Sequence, residues 1–290
     1  MSGRMNRWRG VNLGGWLVLE KWMTPSLFAN MQAEDETGWC LQMGAQATTR
    51  LQQHWRSFIT REDFFWLAEI GINAVRIPIG YWLFAQDYPY HRRFDSQPHP
   101  FVTGGDEILA QALDWAEQCG LAVILDLHAV PGCQNGFDNG GMKDICEWHT
   151  QIEYREYTLA FLQKLAACYG SHPALWAIEI LNEPHWDIAS DYLIEYTRLA
   201  YQCIRLYCPP ERVAVVFHDA FRDYSEYTVL LQDASYQNLI LDIHRYQCFT
   251  EEDHQRDIFQ HIHQATVDRA AEAETLLNCA QRPIILANGV

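Results

Sequence analysis

The sequence predicts an α/β fold built on a parallel sheet, and three observations predict it. Short apolar runs rich in Val and Ile recur along the 290 residues. These runs are continuously apolar rather than alternating, the pattern of strands covered on both faces. Amphipathic helical segments fall between most of them, and no break in composition divides the chain, so residues 1–290 are expected to form one domain.

Seven strands are expected, over Arg9–Leu13, Asn73–Ile79, Ala122–His128, Leu175–Leu181, Arg212–Phe217, Leu239–His244 and Arg282–Ala287. Between them, Thr60-Arg61-Glu62-Asp63 opens a helix like a capping box, and Gly71 stops it. Asp106–Cys119 and Glu153–Tyr169 run into Gly120 and Gly170, which are expected to close them. Asp191–Tyr207 meets Pro209 and Pro210, which cannot continue a helix. Glu251–Cys279 is expected to be one long helical stretch before the last strand.

Right-handed crossovers leave two architectures, an open doubly wound sheet or a closed barrel. The open sheet of a dinucleotide fold needs G-x-G-x-x-G after the first strand, whereas Gly14 and Gly15 are followed by Trp16, Leu17 and Val18. The chain length suits a (β/α)8 barrel of roughly 250 residues. With seven strands in view, the expectation is a TIM-type barrel truncated after strand 7, lacking strand 8 and helix 8. The open edges this leaves on the first and seventh strands would favour self-association.

Composition narrows the partners. A formal charge of -16 argues against nucleic acid, since phosphates require clustered Lys and Arg. No apolar stretch approaches the roughly 18 residues of a membrane helix. The opening residues mimic a signal peptide, but Asn12 interrupts the apolar run and no small-x-small cleavage site precedes Glu20 and Lys21. A cytoplasmic location is the expectation from sequence. The nine cysteines include no C-x-x-C pair, and most are expected to be reduced core residues.

In such barrels the chemistry sits where strands end at the carboxyl face. The runs end in polar residues: Arg76 in NAVRIPIG, His128 in LDLHAVPG, Asn182 and Glu183 in EILNEP, His218 and Asp219 in VVFHDA, His244 and Tyr246 in LDIHRY. One such residue is usually a structural hydrogen bonder, but this many at one rim is how active sites are built. Glu183 is the sharpest candidate. Trp176 and Trp186 suggest an apolar setting that would raise its pKa and let it donate a proton to a leaving oxygen.

The NEP triplet in this position, with the strand-end Arg, His and His-x-Tyr, resembles glycoside hydrolase family 5, retaining enzymes on (β/α)8 barrels. The segments RGVNLGGWLVLEKWMTPSLF and LHAVPGCQNGFDNGG are similar to its exo-β-1,3-glucanase branch, the glucan 1,3-β-glucosidases. The resemblance implies a cofactor-free glycosidase acting on a β-glucan oligosaccharide or polysaccharide, most members being secreted. Glu183 would be the general acid/base and Asn182 the partner of the sugar 2-OH. Arg76 and Tyr246 would hold the nucleophile, His128 and His244 would line the subsite at the cleaved bond, and Glu20 would grip the terminal glucose. Phe137, Asn139 and Phe249 match the entrance; ordinary loop packing is the other reading of the two aromatics.

The family's nucleophile is a Glu at the end of strand seven. Here no Glu follows Glu274, and Asn288 or Val290 stands where it would be, so the chain as it stands is expected to lack the covalent route. Two rivals remain. One is a non-catalytic β-glucan-binding protein. The other is a metal-dependent barrel hydrolase, for which Asp126 with His128 and Asp242 with His244 supply two D-x-H pairs, although each Asp could equally orient its His.

Overall fold

The computed structural model describes residues 8–84, 100–280 and 282–288. Seven strands form one sheet: β1 (Gly10–Asn12), β2 (Ala74–Gly80), β3 (Ala122–Ala129), β4 (Leu175–Glu179), β5 (Ala214–His218), β6 (Leu239–Arg245) and β7 (Ile284–Asn288). Neighbours in sequence are neighbours in the sheet, and every pairing is parallel. All seven predicted strands are present. β5 starts two residues later than predicted and runs on to His218.

The sheet curls around a shared interior, as the residues of its inner face show. Ile124, Ala177, Ala214, Val216 and Ile240, from four successive strands, form a separate buried cluster that Trp176 and Ile285 join at its margin. The outward-facing residues, such as Val75, Leu125, Ile178, Val215 and Leu241, pack in a second, larger core. Continuous apolar runs follow directly, since each strand is buried on both faces. This is the barrel type of (β/α) architecture.

Helices α1 (Glu36–Met43) and α2 (Ala47–Ser57) precede α3 (Arg61–Glu69), and α4 (Gly105–Cys119), α5 (Ile152–Tyr169) and α6 (Ser190–Arg205) follow β2, β3 and β4. The short α7 (Thr228–Leu231) follows β5. In α4, Ile108, Leu109, Ala112, Leu113 and Ala116 are buried, a stripe at helical spacing that packs onto the barrel. Gly120 ends α4 in the left-handed conformation, as predicted. Gly170 does not. Its φ is -57°, and its lack of a side chain serves close approach instead: a Cβ there would lie 2.5 Å from Cys208 Sγ.

The predicted long helix over 251–279 is divided into α8 (Glu251–Gln255), α9 (Ile258–His263), a π-helical turn (Gln264–Asp268) and α10 (Arg269–Ala280). The break has a local cause. Arg256 is extended, and Asp257 caps a fresh helix by accepting from Gln260 N while Gln260 Oε1 accepts from Asp257 N. Among the described residues no helix is long and apolar enough to cross a membrane.

Candidate active site

Inward-facing residues of the barrel are stacked in tiers. Above the apolar tier lies a charged one: Arg76 from β2, Asp126 from β3, Glu179 from β4 and Asp242 from β6. Arg76 spans it, donating to Glu179 through Nε (2.7 Å) and Nη2 (3.0 Å) and meeting Asp126 at 3.0 Å. It also donates to Asn12 Oδ1 (2.9 Å) and Asn182 Oδ1 (2.8 Å). Three fully buried carboxylates around one guanidinium leave negative charge in excess. Burial accordingly pushes Glu179 up to about 7, against the Arg76 charge and with Asp126 and Asp242 adding to the rise.

The next tier forms the rim: His128, Asn182, Glu183, His218 and His244, all buried. Both D-x-H pairs are carboxylate–imidazole contacts within one strand. His128 Nδ1 lies 2.5 Å from Asp126 Oδ2, and His244 Nε2 lies 3.4 Å from Asp242 Oδ2. The Asp126 charge raises His128 against the opposing effect of burial.

Glu183 sits just past β4 with φ +41°, an unusual backbone for a non-glycine residue, and its carboxylate is heavily engaged. His244 Nδ1 (2.6 Å) and the Tyr246 hydroxyl (2.7 Å) both reach Oε1, and Asn139 Nδ2 approaches Oε2 at 3.5 Å. Burial would raise the carboxyl, but the hydrogen bond and charge of His244, the His218 ring and Tyr246 outweigh it and hold Glu183 well below the ordinary range. His244 moves the opposite way. Against burial, Asp242 and Glu183 raise it to about 10. Glu183 and His244 are thus an ion pair, with Asp242 on the far side of the imidazole.

This reverses the expected setting of Glu183. Trp176 belongs to the apolar tier below and packs tilted against Trp8, at 4.8 Å between centroids. Trp186 is half exposed at the rim. Neither makes the carboxyl's surroundings apolar, and the proton expected on Glu183 resides on His244 Nδ1, 2.6 Å away.

The other predicted residues are placed as follows. Arg76 and Tyr246, expected to hold a nucleophile, hold Glu179 and Glu183 among the described residues. Glu20 is buried in the loop after β1, accepting from Gly15 N (3.2 Å) and Trp22 Nε1 (3.0 Å). Glycine at position 14 leaves room for this carboxylate, since a Cβ there would lie 2.9 Å from Glu20 Oε1. Phe137 is partly buried beside Trp186 (6.1 Å), and Phe249 is 73% exposed with its ring against Tyr246 (5.1 Å). Asn288 ends β7 opposite Arg245, and Val290 lies outside the described residues.

Sequence reasoning missed Glu179 and Gln134. Gln134 Nε2 donates to His128 O (2.7 Å) and Asn182 O (3.0 Å), and its carbonyl accepts from His185 N, so it ties the β3 and β4 loops together. Inward spacing two residues above Ala177 is the signal that could have found Glu179.

Three buried polar atoms at the rim, His128 Nε2, Asn182 Nδ2 and His218 Nε2, have no hydrogen-bond partner among the described residues. Unpartnered polar atoms beside a carboxylate suit a polyhydroxylated ligand. A cation suits the site less well. Glu183, His218 and His244 offer ligand atoms within 4.8 Å of one another, but His218 Nδ1 accepts from Ala220 N (2.9 Å). Its ring proton is therefore on Nε2, which then has no lone pair for an ion.

The sequence profile of the family described as cellulase (glycosyl hydrolase family 5) matches residues 37–281. The glucan 1,3-beta-glucosidase of Lachancea kluyveri is 38% identical over 272 residues, covering 88% of this chain and 59% of that protein. Glucan 1,3-beta-glucosidase 1 of Schizosaccharomyces pombe is 38% identical over 264 residues, covering 88% of this chain and 62% of that protein. The chain thus spans about three fifths of the length of the curated relatives it matches. The crystal structure of the rutinosidase from Aspergillus niger superposes with a TM-score of 0.78 at 20% identity, covering 98% of this chain and 82% of that one. That likeness supports the barrel fold.

Proposed function

The chain belongs to glycosyl hydrolase family 5, and from that premise we propose that its rim is the acid/base and sugar-binding part of a retaining β-glucosidic hydrolase acting on β-1,3-glucan from a chain end. The observation that carries the reading is the convergence on Glu183. One carboxylate at the barrel mouth is held by His244 and Tyr246 and approached by Asn139, and its rim neighbours Asn182 and His218 keep buried nitrogens without a partner among the described residues. The names of the relatives, glucan 1,3-beta-glucosidases, supply the linkage.

In this reading Glu183 protonates the leaving glycosidic oxygen. The proton it delivers is held on His244 Nδ1, at 2.6 Å, and crosses to Glu183 as the leaving oxygen develops negative charge. Asp242 behind His244 keeps the imidazole charged until then. Asn182, fixed through Oδ1 by Arg76, turns its free Nδ2 toward the sugar 2-OH, a contact that strengthens in an oxocarbenium-like transition state. The retaining route also requires a carboxylate nucleophile about 5–5.5 Å from the acid. The family resemblance assigns that role to a Glu just after strand seven.

The test compares laminaribiose binding and cleavage by this chain with those of a chimera continued after Asn288 by the corresponding segment of a relative. Binding by both and turnover by the chimera alone is expected. Binding without turnover by both would favour a glucan-binding protein, and no binding by either would sink the proposal.

A further inference from the structure

His218 has a geometry that neither the acid/base pair nor the charged tier explains. It ends β5 with its side chain fully enclosed, and its ring stands perpendicular to His244, 4.3 Å between centroids. Its Nδ1 accepts the Ala220 amide at 2.9 Å, which fixes the neutral tautomer with the proton on Nε2. That Nε2–H has no partner among the described residues, although a buried donor without one is ordinarily destabilising.

The turn that holds it is strained and braced. Ala220 (φ 54°) and Phe221 (φ 58°) are consecutive left-handed residues, neither of them glycine. Asp219 secures them, accepting from Phe221 N through Oδ1 (2.8 Å) and from Arg245 through Oδ2 (3.2 Å), while its carbonyl accepts from the Tyr227 hydroxyl (3.0 Å). Strain kept this close to Glu183 serves to present a group, and the group presented is a single N–H. Burial, with the His244 charge adding, pushes His218 down to about 3, which favours the uncharged ring. The tautomer fixed by the Ala220 amide leaves no lone pair on Nε2 for a cation. A neutral donor beside a carboxylate is what binds a hydroxyl oxygen.

We propose that His218 is a sugar-binding residue whose Nε2–H donates to a hydroxyl oxygen of the glucosyl unit seated beside Glu183. The assignment rests on the reading of this rim as a sugar site and adds a contact from β5 to it.

Two measurements test it. In chain labelled with 15N-histidine, saturating laminaribiose is expected to move the His218 Nε2–H proton downfield while Nδ1 stays an acceptor. His218→Met, which keeps volume and removes the donor, is expected to bind laminaribiose roughly 5- to 30-fold more weakly at unchanged Tm, and His218→Gln to recover most of the loss. If the unsubstituted chain binds neither laminaribiose nor cellobiose, the sugar-site reading and this assignment fall together. If it binds while the His218 resonance stays still and His218→Met binds equally well, the assignment alone is overturned. The resonance shift decides the matter even if the variants fold poorly.

Discussion

At the scale of single residues, buried carboxyls set most of the expected pH response. Glu36 is fully buried in α1, with Oε2 accepting from Leu19 N at 2.7 Å. Burial pushes it up to about 8 from 4.5. Between those values the folded chain keeps a proton that the unfolded chain has lost, so stability falls as pH rises through that window. Glu36→Gln keeps the acceptor and removes the titration. Urea unfolding should show the variant gaining on the parent from pH 5 to pH 8 by on the order of 4 kcal/mol, and a parallel pair of curves would refute it. Tyr246 acts oppositely on Glu183. Its hydroxyl favours the anion, so Tyr246→Phe should raise the Glu183 midpoint by about one unit, followed by carboxyl-carbon NMR. The accompanying loss of about 1.5 kcal/mol should be full above the ordinary carboxyl pKa of 4.5 and shrink as pH falls toward the depressed midpoint. The positions of Glu183, His128 and His244 were legible because each closes an apolar run. Their charge states were not, since neighbours on β3, β4 and β6 decide them and no one stretch of sequence contains those neighbours.

At the scale of elements, capping letters were legible where they begin a helix that buries something. Thr60 donates to Asp63 Oδ2 from both N (2.7 Å) and Oγ1 (2.8 Å), and α3 then buries Phe64 and Leu67 against the barrel. Asp257 caps α9 with comparable bonds, yet α9 buries no residue. The two caps should therefore report differently. Thr60→Ala is expected to lower global stability by about 1 kcal/mol, whereas Asp257→Ala should speed amide hydrogen exchange within α9 and leave Tm nearly unchanged. An equal drop in Tm for both would show that α9 is coupled to the barrel. The same Asp257 explains why one predicted helix became several: amphipathic letters continue across the break, and a cap residue inside them looks like one more polar position. Strand count was easy to read and strand facing was not. A run buried on both faces hides its alternation, so Glu179 passes for a polar end rather than a member of an inner tier.

At the scale of the whole molecule, Arg76 ties β2 to β3 and β4, with the Asp242 charge of β6 also acting on it, and the chain's charge of -16 offers little to replace it. Arg76→Met would leave Glu179 and Asp126 buried together without their counter-ion, and Asn182 without the bond that orients it. Breaking a buried pair from one side costs about 3–5 kcal/mol, because the remaining charge keeps its desolvation penalty. The penalty depends on pH in a definite direction. Glu179 already stands at about 7 with Arg76 present, and loss of the guanidinium raises it further. In the variant, Glu179 then holds its proton up to higher pH than in the unfolded chain, so stability falls across the neutral range. Urea unfolding at pH 5 and pH 8 should show a deficit relative to the parent that is larger at pH 8 by on the order of 2 kcal/mol. Equal deficits at the two pH values would mean that Arg76 serves the fold through packing alone. They would also remove the charged tier as the reason that Asn182 and Glu183 stand where a sugar could reach them.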